Sequence, residues 1–396
     1  MVRSKNEIKN VDLLNSMTMQ NHNSNTPQAE KITHERIRHI VEDRYDLGKF
    51  VGAREIHGGT VNTSFKVAIS GSQHKTEHYF LREYNPLARE PEIRFEHALL
   101  SHLRGSGFEL ASVPIPLRNH TTYFRASASS PERDTDNFWA LFDFLAGEDK
   151  YTWTNTDLTD EELSSAADIL ARLHQHGADF KKPPGTDRGQ PPIMQFLPLL
   201  KQNFADFAQT RCKSRCAELF QNHARRIQTL VDDGIKAQSE YEGLLKLPIH
   251  CVYQPGKIKF ENGKGVGLFD FDWSKIDYRV FDVALALFYF TAQWRGKGAG
   301  CLRLDPFCLF LNVYQKTCHR MGRVAPMSPP ELSALVPMLA FANLYVLNWS
   351  VVDFTAKAGA DDDEYYFFIR HGMRVMAWIE DNDDTLAKAI NAAGLH

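Results

Sequence analysis

Cysteine is scarce in this chain: six in 396 residues (Cys212, Cys216, Cys251, Cys301, Cys308 and Cys318), with no CxxC pair and no histidines set at zinc-ligand spacing. That excludes a disulfide framework and a structural zinc module, and leaves reduced, mostly buried thiols. Cys212 and Cys216 stand i, i+4 in an expected helix, which puts them on one face rather than in a metal site. Excess charge is missing too. A formal net charge of -3 and a pI near 6.6 give no long-range field to gather nucleic acid or an anionic membrane. The amino terminus lacks an apolar run long enough for a secretory signal, so the expected setting is cytoplasmic, with no nucleic-acid partner and no membrane partner. Residues 334–352 are uncharged and meet the length test for a membrane span. They contain Pro337, Asn343, Asn348 and Ser350 without basic flanks, and read as a buried core helix.

What is present is a chain long enough for one large two-part fold, 43% hydrophobic and 24% charged. Residues 1–31 are rich in Asn, Ser, Gln and Met without apolar periodicity, the composition of a flexible polar tail. A short helix is expected from Thr33, then three strands at VGAREIHGG, TSFKVAIS and EHYFLREYN, then a helix at PEIRFEHALLSHLRGSG. Two more strands are expected around VPIPLRN and NFWALFDFL. This order describes a small β-rich lobe over residues 32–146, leaving through FLAGED as a hinge. Residues 147–396 read as a larger, mostly helical lobe, beginning with a helix capped by Thr159 and Glu162. Helices are expected over 193–222, 223–245, 305–322, 329–352 and 363–391. A hairpin interrupts them at 250–273, with strands IKFE and GVGLFDF about a Gly-Lys-Gly turn. The fold class is therefore α+β.

Three groups of residues point to chemistry. In HGGTVNTSF, Gly58 and Gly59 precede Asn62 at a turn between strands, where bare backbone N–H groups can approach phosphate. Arg82 of FLREYN and Glu96 of RFEHALL form a strand cation with a helix carboxylate, an arrangement suited to presenting positive charge to an α- or β-phosphate or, more plainly, to a surface salt bridge. The hairpin carries His250, Val252 and Lys257 in HCVYQPGKIKF, followed by Asp270 and Asp272 in GLFDFDW and by Asp282 in FDVALAL.

Taken in order, HGGTVNTSF, FLREY, FEHALL, FLAGE, LARLH, DFDW and FDVAL resemble the aminoglycoside phosphotransferase and homoserine kinase-like family across roughly residues 50–295. The resemblance implies a bilobal protein-kinase-like fold, ATP as cofactor, magnesium, and a small-molecule acceptor. It also implies a loop reading HGDxHPGN, whose Asp handles the substrate hydroxyl proton and whose Asn holds one magnesium, with the DFD carboxylate holding metal. Carried over by position, the Gly falls on Cys251, the base on Val252, the second His on Gln254 and the Asn on Lys257. His250, Pro255, Gly256 and Asp270 match.

Valine accepts no proton, and loss of a general base costs about two to four powers of ten in rate. Lys257 puts an ammonium where a metal-binding oxygen belongs. The expectation is that Lys257 pairs with Asp270 in place of one metal, leaving a pseudokinase whose pocket binds nucleotide with magnesium weakened or absent. The alternative is an active phosphotransferase of a homoserine-, choline- or aminoglycoside-like hydroxyl compound that uses Asp272, on the same strand face as Asp270, as its base. Asp282 is expected to cap its helix or anchor the loop backbone. Acceptor-side residues are sought among Trp273, Tyr278, Trp294, Arg295, Trp349 and the acids Asp361, Asp362, Asp363 and Glu364, a set that would suit an amine.

Overall fold

The computed structural model describes residues 27–57, 61–71, 75–127, 136–209, 214–356 and 361–394. The chain divides into two compact units. One comprises the described residues up to Arg104 with Ala111–Leu145 and Pro183–Asp187, and the other holds Gly105–Leu110, Ala146–Lys182 and the rest from Arg188.

The N-terminal unit opens with helix α1 (Pro27–Arg44), which begins inside the segment expected to be a polar tail. A proline at the first helical turn costs no hydrogen bond and has its φ already set for a helix. The expected tail up to residue 26 lies outside the described residues. Strands β1 (Lys49–Glu55), β2 (Thr63–Ser70) and β3 (Thr76–Glu83) follow, then helix α2 (Glu90–Gly105), β4 (Phe124–Ser127) and β5 (Asp136–Asp143). They form one antiparallel sheet in the order β1-β2-β3-β5-β4. Period-two alternation in β2 sends Phe65, Val67 and Ile69 to one face, where they meet Ile37, Ile40 and Val41 of α1, Leu81 and Trp139. The fourth strand is not the expected VPIPLRN. Pro114 and Pro116 have no N–H to give a ladder, and that segment makes only an isolated bridge from Pro114 to Phe142.

The second unit is helical around one buried helix. Helix α3 (Asp160–Gly177) starts at the expected capping box, with Thr159 Oγ1 accepting from Glu162 N and Glu162 reaching back to Thr159 N. Helices α4 (Ile193–Ala208) and α5 (Arg215–Lys236) follow; the break expected at 222/223 falls earlier, with Ser214 capping α5. α5 runs through Gly234, where a Cβ would sit 2.6 Å from the Phe341 ring, so close packing requires glycine. Strand β6 (Lys246–Ile249) leads to the hairpin of β7 (Ile258–Glu261) and β8 (Lys264–Leu268), and β6 pairs with β9 (Lys275–Tyr278), a pairing not expected. The hairpin turns on Asn262 and Gly263, both at positive φ, rather than on Gly-Lys-Gly. Helix α6 (Arg279–Thr291) is buried at every residue. Helices α7 (Leu304–Met321), α8 (Pro329–Ser333), α9 (Leu335–Ala356), α10 (Asp362–Asp381) and α11 (Asp383–Gly394) complete the unit. Pro329–Thr355 is long and apolar enough to cross a membrane, but 78% of its most apolar stretch is buried inside the unit, as a core helix would be.

Candidate active site

The loop after β6 is held from behind by Asp282, one turn into α6. Its Oδ2 accepts the His250 N–H at 2.9 Å and its Oδ1 accepts the Cys251 N–H at 2.9 Å. Asp282 thus anchors the loop backbone and makes no cap. His174, on α3, lies with Nε2 3.1 Å from Asp282 Oδ2 and Nδ1 2.7 Å from the Tyr314 hydroxyl. Burial pushes the pKa of His174 down, so the neutral ring donates to the carboxylate and accepts from Tyr314. Burial alone would raise the Asp282 carboxyl; the hydrogen bond from His174 and the backbone amides outweigh it and hold the group below its ordinary value. Tyr253 secures the far side, donating to Ala166 O at 2.6 Å.

Cys251 keeps a left-handed backbone, φ 70, at the position where the resemblance puts glycine. Its buried thiol lies 3.3 Å from the Tyr345 hydroxyl, which donates to Gln190. His250 is fully buried and kept neutral by that burial, with Nε2 3.0 Å from Phe269 O.

At the exposed end of the same loop the expected ion pair is present: the Lys257 ammonium sits on the Asp270 carboxylate, each about one-quarter exposed. The Lys257 backbone joins the hairpin through Phe269 N to Lys257 O at 3.1 Å. Val252, at the position to which the resemblance carries the base, is partly buried. The strand-face premise for Asp272 is not met. β8 ends at Leu268, Asp270 takes a left-handed φ of 71, and Asp272 lies in the single 3-10 turn Phe271–Trp273, so the two acids do not share a strand face. Asp270, the carboxylate to which the resemblance assigns metal, is engaged by the Lys257 ammonium.

In the N-terminal unit, Gly58 and Gly59 lie outside the described residues. Asn62 Oδ1 accepts the Asn85 N–H at 3.0 Å, tying the end of the β1–β2 connection to the end of β3. The Arg82–Glu96 pair is not a surface salt bridge. Its N–O distance is 2.9 Å, Arg82 is 8% and Glu96 3% exposed, and Tyr84 donates to the second carboxylate oxygen at 3.1 Å. His97, beside Tyr84, is pushed down to about 3 by burial and by Arg82.

The residues sought for an acceptor do not assemble as expected. Asp361 caps α10, Asp362 accepts the Arg215 and Cys216 N–H groups, and Asp363 pairs with Arg215, so the acidic run is used in joining α5 to α10. Cys212 lies outside the described residues. Trp273 packs edge-on against Trp349 at 4.7 Å, Tyr278 is buried, and Arg295 is exposed. Trp294 stacks on His371 at 3.7 Å beside a small cavity. His371 and Trp153, which line that cavity with Asn343, leave no local sequence signal, because one lies singly in a helix and the other in a turn.

Residues 52–300 match the model of the phosphotransferase enzyme family, and the chain belongs to that family. It is 26% identical over 301 residues to a homoserine kinase of Bradyrhizobium sp. strain BTAi1, covering 75% of this chain and 77% of that one. A homoserine kinase of Polaromonas naphthalenivorans is 24% identical over 300 residues, covering 76% and 81%. Among solved structures, a microcompartment-associated aminopropanol kinase superposes with a TM-score of 0.63 at 15% identity over 89% of this chain and 98% of that one. An amicoumacin kinase solved with AMP-PNP and Ca2+ does so with 0.61 at 13% over 90% and 96%. The fold is the bilobal α+β kinase-like fold of the family.

Proposed function

We propose that this chain is a nucleotide-binding pseudokinase of the family, with little or no phosphotransfer. The observation that carries the reading is the Lys257–Asp270 ion pair, formed in the loop where Val252 replaces the proton acceptor. An ammonium already neutralises the carboxylate that would hold a divalent ion, and the same positive charge can face phosphate directly, so ATP is bound without magnesium. The resemblance assigns nucleotide contacts also to Gly58, Gly59, Asn62, Arg82 and Glu96, and His250 keeps the loop in shape. The thiols, unpaired at every described cysteine, suit a cytoplasmic setting. Nucleic acid and membrane are not partners in this reading.

Calorimetry with ATP, with and without magnesium, tests it: binding of similar strength in both is expected, and strongly magnesium-dependent binding sinks it. The rival reading is an active kinase of a small hydroxyl compound, favoured by the names of the relatives, homoserine kinases over three-quarters of this chain. ATP consumption with homoserine and other alcohols, run beside Val252→Asp/Lys257→Asn, separates the two. Turnover only in the double variant supports the pseudokinase, and turnover at ordinary rates in both supports the kinase.

A further inference from the structure

The buried Arg82–Glu96 pair of the N-terminal unit is the end of a longer chain of hydrogen bonds. Arg82 Nη1 donates to Glu96 Oε1 at 2.9 Å, and the Tyr84 hydroxyl donates to Glu96 Oε2 at 3.1 Å. The same hydroxyl lies 2.9 Å from His97 Nε2, and His97 Nδ1 lies 2.7 Å from Thr122 Oγ1. Tyr84 and His97 are each 4% exposed, so these bonds are made away from bulk solvent.

The protons fix the direction of this chain. A phenol has one proton to give. With that proton on Glu96, Tyr84 accepts from His97, which puts the imidazole proton on Nε2 and leaves Nδ1 to accept from the Thr122 hydroxyl. Donation runs one way, from Thr122 through His97 and Tyr84 to the carboxylate, and both oxygens of Glu96 are tied. The neutral imidazole this requires is what burial and the nearby Arg82 enforce. The imidazole is boxed by Phe142 and Tyr123, edge-on at 5.4 and 5.8 Å. The Arg82 guanidinium meets the same wall, 5.2 Å from the Phe142 ring and 5.5 Å from the Tyr84 ring. An apolar core needs none of these polar side chains, and burying them costs desolvation that their bonds only offset. What the chain achieves is a carboxylate that cannot rotate, and hence a guanidinium held in one direction.

We infer that Tyr84, His97 and Thr122 are positioning residues, which fix the Glu96 carboxylate and through it aim Arg82 at the phosphates of a bound nucleotide. This rests on the nucleotide-binding reading proposed above. The test is calorimetry on the full chain with ATP and with adenosine, which lacks the phosphates. Tyr84→Phe and His97→Leu should each weaken ATP binding roughly tenfold and leave adenosine within about twofold. His97→Gln, whose amide N–H can take the place of Nε2, should keep ATP binding within about threefold of the wild type. Equal losses for ATP and adenosine would leave these residues a core role only and overturn the inference, as would unchanged ATP binding in both Tyr84→Phe and His97→Leu. Wild-type protein that binds no ATP overturns the nucleotide reading as well; wild-type protein that binds ATP no better than the two variants overturns this inference alone. Should the variants not fold, nitrogen-15 NMR of the histidine rings in the wild type decides. The His97 proton is expected on Nε2, and a proton on Nδ1 overturns the inference, because Tyr84 would then give its proton to His97 instead of Glu96.

Discussion

The two ends of the loop from His250 to Lys257 contrast sharply. Behind it, Asp282 collects the His250 and Cys251 amides and His174, with Tyr314 beyond, and every member is buried. In front, Val252 and the quarter-exposed Lys257–Asp270 pair stand where an acid, an amide and a free carboxylate are expected. The buried end is held by a set of hydrogen bonds and the open end by one ion pair. An architecture held by buried hydrogen bonds does not depend on the groups that react, so the reacting groups can be exchanged while the loop keeps its path. The open end carries a compensated charge, an ion pair rather than a lone carboxylate.

The largest effect is expected behind the loop. Asp282→Ala strips two buried amides and His174 of their acceptor and should cost about 3–5 kcal/mol in urea unfolding; a loss under about 1 kcal/mol would break the contrast. Because Asp282 is held below its ordinary value, its share of stability is present above about pH 4 and is lost as pH falls through the folded-state pKa.

Next comes Glu162, on the helix that carries His174. Burial opposes its ionisation, but hydrogen bonds from Lys150, Tyr151 and Thr159 bring it down to about 2. It stabilises above about pH 4.5, and this is lost as pH falls toward 2. Glu162→Gln should cost on the order of 2 kcal/mol at neutral pH, discounted because Lys150 is half exposed, and should flatten the acid limb of the melting curve. An unchanged acid limb would remove Glu162 from the support of the loop.

Smaller still, Cys251→Gly relieves a left-handed φ while losing the thiol contact with Tyr345, each worth about 1 kcal/mol, so the net change stays within about 1 kcal/mol. A loss above about 2 kcal/mol would make the thiol part of the anchor. Lys257→Ala should shift stability least, about 1 kcal/mol for a partly exposed pair outside the hydrogen-bonded anchor. It should nonetheless make ATP-induced thermal stabilisation respond to magnesium, and no response would detach the ion pair from the nucleotide reading.

Legibility followed the reach of each interaction. The alternation of β2 and the capping box at Thr159 act over a few residues, and both were found where the sequence put them. VPIPLRN reads as a strand, but Pro114 and Pro116 have no N–H for a ladder, and the fourth strand is Phe124–Ser127. The turn was placed on Gly263–Gly265, when Asn262–Gly263 carries both positive φ values. The β6–β9 pairing joins residues far apart in the chain and left no local trace. The Lys257–Asp270 pair was anticipated from positions, but the left-handed turn at Asp270 that removes Asp272 from its side was not.

By itself, the sequence determined the family, most of the order of elements and the departure of Val252 and Lys257 from the loop pattern that the resemblance implies, since each is written in residue types at short spacings. Tertiary structure alone decided that Asp282 bonds the loop amides, that Arg82 and Glu96 are buried, and that His371, Trp294 and Asn343 share one cavity. These are facts of burial and distance between remote segments, and no local pattern encodes which helix will turn which polar atom toward which neighbour.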